Sequence, residues 1–253
     1  MNRPSPGFAD ATGFPDGFAR PDPLLSPASP PPPPPGCAPR LLREALATQG
    51  ADALSDEDLA TLLLGFVLPV DSRPLAQAVL RRFGSFAALL AAPQRELRAV
   101  PGLGTHGISA IKLVHAAALR LARAQVMHRP VLDRWDALIA YLTAALARER
   151  VEQFRVLFLD GEHRLLADEA QARGTVNHTP VYPREVVKRA LELRAAALIL
   201  VHNHPSGDPT PSREDLAMTE QVREAAESLS IDLHDHVIVG NGRHLSFRQE
   251  GLI

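Results

Sequence analysis

Two imidazoles, a hydroxyl and a carboxylate fall within fourteen residues of one another in the stretch His202-Asn203-His204-Pro205-Ser206-Gly207-Asp208-Pro209-Thr210-Pro211-Ser212-Arg213-Glu214-Asp215. Imidazole nitrogen and carboxylate oxygen are ligands for a borderline divalent cation. Three protein ligands with water in the fourth position is the arrangement of a catalytic zinc. The same residues also read as a plain helix start, because Ser212 followed three residues later by Asp215 has the form of a capping box. The two readings are compatible, since a helix N-terminus can orient the very carboxylate that binds a metal.

The elements that must position these groups are legible around them. Ala197-Leu198-Ile199-Leu200-Val201 is short, continuous and apolar, which predicts a buried strand. Side chains alternate along a strand, so His202 and His204 leave its end on one face and Asn203 points the other way. Pro205 stops the ladder. A Pro/Gly-rich loop then delivers Ser212 and Asp215 on the next helix, expected to run through Leu216, Val222 and Ala226.

The order His-x-His, seven residues, Ser, two residues, Asp resembles the JAMM signature of MPN-type zinc metallohydrolases. The wording His-Asn-His-Pro-Ser-Gly-Asp-Pro-x-Pro-Ser, with Arg-Glu upstream and Asp-His downstream, resembles the RadC family of bacterial proteins (UPF0758), over most of the chain from about Arg40 onward. The resemblance implies one Zn2+ per chain on His202, His204 and Asp215. It also implies a general base well upstream, near the start of the first strand of that domain, where Glu152 stands, and an oxyanion donor at Ser212. Glu162, Glu169 and Glu185 are the rivals for the base, and Glu152 could instead pair with Arg148. The implied fold is α/β: a small all-helical, helix-hairpin-helix-like N-terminal domain before a JAMM/MPN α/β sandwich of cytidine-deaminase-like architecture.

Composition narrows the chemistry. The 253 residues carry 27 Lys+Arg against 29 Asp+Glu, so the chain as a whole is no polycation. The single cysteine, Cys37, excludes an internal disulfide and a thiolate zinc site, and suits a reducing cytoplasm. No apolar run approaches membrane-spanning length and no basic-then-apolar leader opens the chain, so no membrane partner is expected.

Residues 1–39 are rich in Pro, Gly, Ser and Ala, with six prolines from Pro30 to Pro35, and read as a disordered leader. Residues 40–130 read as short helices. Ser55 caps one through Leu59, Leu62 and Phe66; Gly84 stops another through Leu75, Val79 and Leu80; Pro93 starts a third. The turn Val100-Pro101-Gly102-Leu103-Gly104 resembles a helix-hairpin-helix, whose glycines (Gly102, Gly104) would let duplex or branched DNA approach the backbone. This segment holds 11 Lys/Arg against 7 Asp/Glu, net +4, compatible with phosphate binding but modest. A hairpin used only as scaffold or protein interface stands equally open, because the turn itself contains no Lys or Arg.

Residues 131–253 form the expected hydrolase domain. An amphipathic helix (Trp135, Leu138, Ile139, Leu142, Leu146) either joins the two domains or packs as the first helix of the second. Phe154 to Leu159 reads as a strand, Asp160-Gly161 as its hairpin turn, Arg164 to Ala167 as its partner, and Gly174 to Val176 as a further extended piece. Pro183 opens a helix, and a last hairpin turns at Asn241-Gly242. His234 and His236 also stand two apart and could form a second metal pair, but no third ligand is spaced nearby; Asp235-His236 reads instead as an element near the site that is structural or supports a ligand from behind. His163 and His178 read as turn residues. The leading function is a zinc-dependent amide hydrolase acting on a peptide or isopeptide bond of a protein substrate. The alternative is a DNA-associated accessory protein of repair or recombination with a structural or inactive metal site. A two-metal nuclease would call for more carboxylates.

Overall fold

The computed structural model describes residues 38–68, 71–173 and 181–253. The leader residues 1–37 and the extended piece expected at Gly174 to Val176 lie outside them, as do Cys37 and His178. Helix α1 (Ala38–Gln49) takes its first two residues from the stretch expected to belong to the leader. Proline is tolerated in a first helical turn, where backbone N–H groups have no intrahelical acceptor, so Pro39 does not prevent this.

Five more helices follow: α2 (Asp56–Gly65), α3 (Arg73–Phe83), α4 (Phe86–Ala91), α5 (Gln94–Arg98) and α6 (Gly104–Val126). Their boundaries follow local chemistry. Ser55 and Asp58 form a reciprocal capping box at the start of α2. The Ser85 hydroxyl accepts from the Ala88 amide to open α4. Gly84 ends α3 at φ +89°, a conformation that costs glycine little. Leu64, Val79, Leu89, Leu97, Leu103 and Ile111 interlock as the core of this region.

After a turn of 3-10 helix, α7 (Trp135–Leu146) begins the α/β part. Strands β1 (Gln153–Leu159) and β2 (Leu165–Arg173) are antiparallel, then come α8 (Pro183–Leu193), β3 (Ala197–Asn203), α9 (Arg213–Glu227), β4 (Asp232–Val239) and β5 (His244–Ser246). The sheet order is β2-β1-β3-β4-β5, with β3 and β4 parallel and the other pairs antiparallel. The β1–β2 connection is longer than the two-residue turn expected at Asp160-Gly161. Asp160 Oδ1 accepts from the amides of both Glu162 and Arg164, and the Asp160 amide donates to the Arg164 carbonyl, which spreads the turn over five residues.

Alternation sorts the sheet into two faces. Leu157, Leu159, Ile199, Val201, Val237 and Val239 meet Leu138, Leu142 and Leu146 of α7. Phe154, Val156, Phe158, Leu198 and Leu200 meet Val186 and Ala190 of α8 and Val222 and Ala226 of α9. Helix α7 thus packs on the sheet. Each large apolar side chain buried this way contributes about 1.5–3 kcal/mol, which sets the strand faces and with them the side on which His202 emerges. Every residue of β3 is buried, including the polar His202 and Asn203. A buried polar group without a partner costs about 1–3 kcal/mol, so both must find partners, and those partners form the site.

Candidate metal centre

His202 lies on the α8/α9 face of the sheet, fully buried, and His204 follows one residue past the end of β3 on the same side. The His204 amide still donates to the Val239 carbonyl, which ties the backbone there to the end of β4. The loop then turns at Gly207 (φ +84°), whose carbonyl lies 2.4 Å from where a Cβ on Gly240 would stand. Only glycine at 240 allows that approach. The loop ends at Ser212, whose hydroxyl accepts from the Asp215 amide at 3.1 Å, while its own amide and hydroxyl both donate to Asp215 Oδ2 at 2.7 Å. This capping box aims the Asp215 carboxylate at the strand end.

The result is a tight group. His202 Nε2 and His204 Nε2 are 3.0 Å apart, His202 Nε2 is 3.2 Å from Asp215 Oδ1, and His204 Nε2 is 3.5 Å from Asp215 Oδ2. Among the described residues these three form the one His/Cys/Asp/Glu group whose ligand atoms all lie within 4.8 Å of one another. The charges are mutually tuned. Burial by itself would raise the Asp215 carboxyl, but hydrogen bonds from His202 and His204 outweigh it and hold the acid well below the usual carboxylate range. The hydrogen bond to Asp215 raises the His204 pKa above its ordinary value.

The donor set fits a divalent metal. His204 Nδ1 stands 2.7 Å from the Asp208 carbonyl, which can only accept, so Nδ1 donates to it and Nε2 is the nitrogen turned toward His202 and Asp215. Two imidazole nitrogens and a carboxylate oxygen converge, a nitrogen-and-oxygen set that suits a divalent transition metal.

Glu152 immediately precedes β1. Two residues on, Phe154 stands across from His202. The Glu152 charge reaches His204, contributing to the upward shift there. The rival acids are committed elsewhere: Glu169 forms a two-pronged pair with Arg189, Glu162 pairs with Arg164 at the hairpin, and Glu185 is an exposed first-turn acid beside Arg184.

A family model for the RadC-like JAB domain matches residues 132–252. A UPF0758 protein of Rhodobacter capsulatus is 58% identical over 214 residues, covering 84% of this chain and 100% of that protein. Another, of Ruegeria pomeroyi, is 53% identical over 213 residues, covering 84% of this chain and 95% of its own length. The chain belongs to the RadC family. As a RadC-type protein it is a mixed α/β chain whose JAB domain contains the group just described.

Three residues near this RadC-type site carry more than their sequence suggested. Asn203 accepts from the Gln153 amide at 3.0 Å and donates to the Glu149 and Val151 carbonyls, so it grips the backbone on both sides of Glu152. An amide at an inward position of an otherwise apolar strand was the available signal. His236 lies 2.8 Å from His202 Nδ1 and 2.7 Å from Thr219 Oγ1. His234 is parted from it: a register shift in β4 turns its ring toward His163, with centroids 5.5 Å apart. The hairpin glycines Gly102 (φ +82°) and Gly104 (φ +55°) sit exposed at the start of α6 in the helical region, apart from the metal group. No helix among the described residues is long and apolar enough to cross a membrane.

Proposed function

We propose that this RadC-type protein is a zinc-dependent amide hydrolase of the JAMM type, acting on a peptide or isopeptide bond. The observation carrying the reading is the convergence of His202, His204 and Asp215, with Ser212 in the same helix cap and the Glu152 charge reaching His204 from the start of β1. A zinc ion on the three ligands would lower the pKa of a bound water and polarise the scissile carbonyl. Glu152 takes the water's proton and delivers it to the leaving amine. Ser212 donates its hydroxyl hydrogen to the developing oxyanion. That hydrogen now points to Asp215 Oδ2, so the hydroxyl must rotate to act, and the Ser212 amide keeps Oδ2 in place when it does. The surrounding fold is read as the MPN-type, cytidine-deaminase-like sandwich.

The metal group, rather than the helical hairpin, carries this reading, because the turn from Gly102 to Gly107 brings no cationic side chain toward a phosphate. A peptide and isopeptide library with the zinc-loaded protein tests it. Wild type should cleave some members, and Glu152→Gln should retain zinc but lose about 10²–10⁴-fold in kcat, the usual worth of a general base. Cleavage by Glu152→Gln at the wild-type rate removes Glu152 from the role; zinc-loaded wild type inert on every member counts against the hydrolase.

A further inference from the structure

The hydrogen bonds behind His202 close into a ring, and the direction of each one follows from its acceptor. The Asp215 carbonyl can only accept, so the Thr219 hydroxyl 2.6 Å away donates to it and uses its single hydrogen. Thr219 Oγ1 must then accept from His236 Nδ1 at 2.7 Å, which puts the His236 proton on Nδ1. His236 is fully buried between Phe154 and Phe247, surroundings that favour the neutral ring and leave its Nε2 bare. That nitrogen lies 2.8 Å from His202 Nδ1 and must receive its hydrogen. Nε2 is therefore the nitrogen that His202 presents to Asp215 Oδ1, 3.2 Å away on the helix where the circuit began.

We propose that Thr219 and His236 are positioning residues of the metal centre, forming a buried relay that fixes the tautomer and ring orientation of His202 and ties it to the turn of α9 that carries Asp215. This rests on the reading of His202, His204 and Asp215 as metal ligands. The relay links three elements: β3 supplies the ligand, β4 supplies His236, and α9 supplies both Thr219 and the acid. A ligating histidine whose far nitrogen is held this way keeps its lone pair on the ion without freezing the ring at the moment of binding.

The test uses the full chain and zinc alone, titrated against a competing chelator. Thr219→Val, nearly isosteric, should weaken zinc binding about 10–100-fold, the usual effect of losing such a partner, and Thr219→Ser should restore it. Nitrogen-15 NMR of the zinc-loaded wild type should find the His236 proton on Nδ1, a readout that requires no variant to fold. Wild-type affinity in Thr219→Val, or a His236 proton on Nε2, overturns the relay while leaving the metal centre standing. A wild type that takes up no zinc overturns the metal centre and the relay with it.

Discussion

Asp215 Oδ2 receives the amide and hydroxyl hydrogens of Ser212, both at 2.7 Å, while Oδ1 faces His202. One carboxylate thereby completes a helix cap and offers an oxygen to a metal, so the two roles of Ser212 separate under mutation. Ser212→Ala removes the cap hydroxyl and should cost about 1 kcal/mol of stability, read as a lowered denaturant midpoint with unchanged slope. Zinc stoichiometry should survive, because the Ser212 amide still holds Oδ2. Turnover should fall about 10²–10³-fold, the usual loss of one oxyanion donor. A variant that is merely less stable, with full turnover, would confine Ser212 to capping.

At the scale of elements, the end of β3 organises everything near it. Its two histidines face α9, and Asn203 between them faces the segment that leads into β1. Asn203→Ala would leave the Gln153 amide unpaired in a buried place, costing about 1–3 kcal/mol. It would also release the backbone on both sides of Glu152. The expected outcome is unaltered zinc binding with kcat lowered more than KM, measured beside Asn203→Asp, which keeps the acceptor for Gln153 but loses the two donated bonds and should fall between. Equal kcat in all three proteins would reduce Asn203 to a stability residue. Much of this element-level layout was legible beforehand. The apolar run of β3, the Ser212 cap, Pro183 at the start of α8 and the stop at Gly84 are local signals and need no tertiary information. What the sequence hid was non-local: the β4 register shift that separates His234 from His236, and the Asp160 side chain that widens the first hairpin. Both depend on which backbone groups meet across strands, and no spacing along the chain encodes that.

Across the whole molecule, the described residues bury three apolar clusters, one among helices α2 to α6 and one on each face of the sheet. The candidate metal group sits on the α8/α9 face at the end of the parallel pair β3 and β4, where the two strands stop together. The sequence announced the three ligands as a set because they share one short stretch. It pointed to His236 only as an element near the site and was silent on Thr219, because the two lie on β4 and α9 and are joined only by the fold. Hydrolysis at this site requires that His202, His204 and Asp215 hold a metal together. Zinc content and affinity, measured on purified wild type and on Asp215→Ala with circular dichroism on the same samples, tests that most directly. One zinc per chain in the wild type, lost from Asp215→Ala without loss of the helical and sheet signal, is the predicted result. A wild type that binds no zinc at stoichiometric metal, or an Asp215→Ala protein that binds it as tightly, contradicts it.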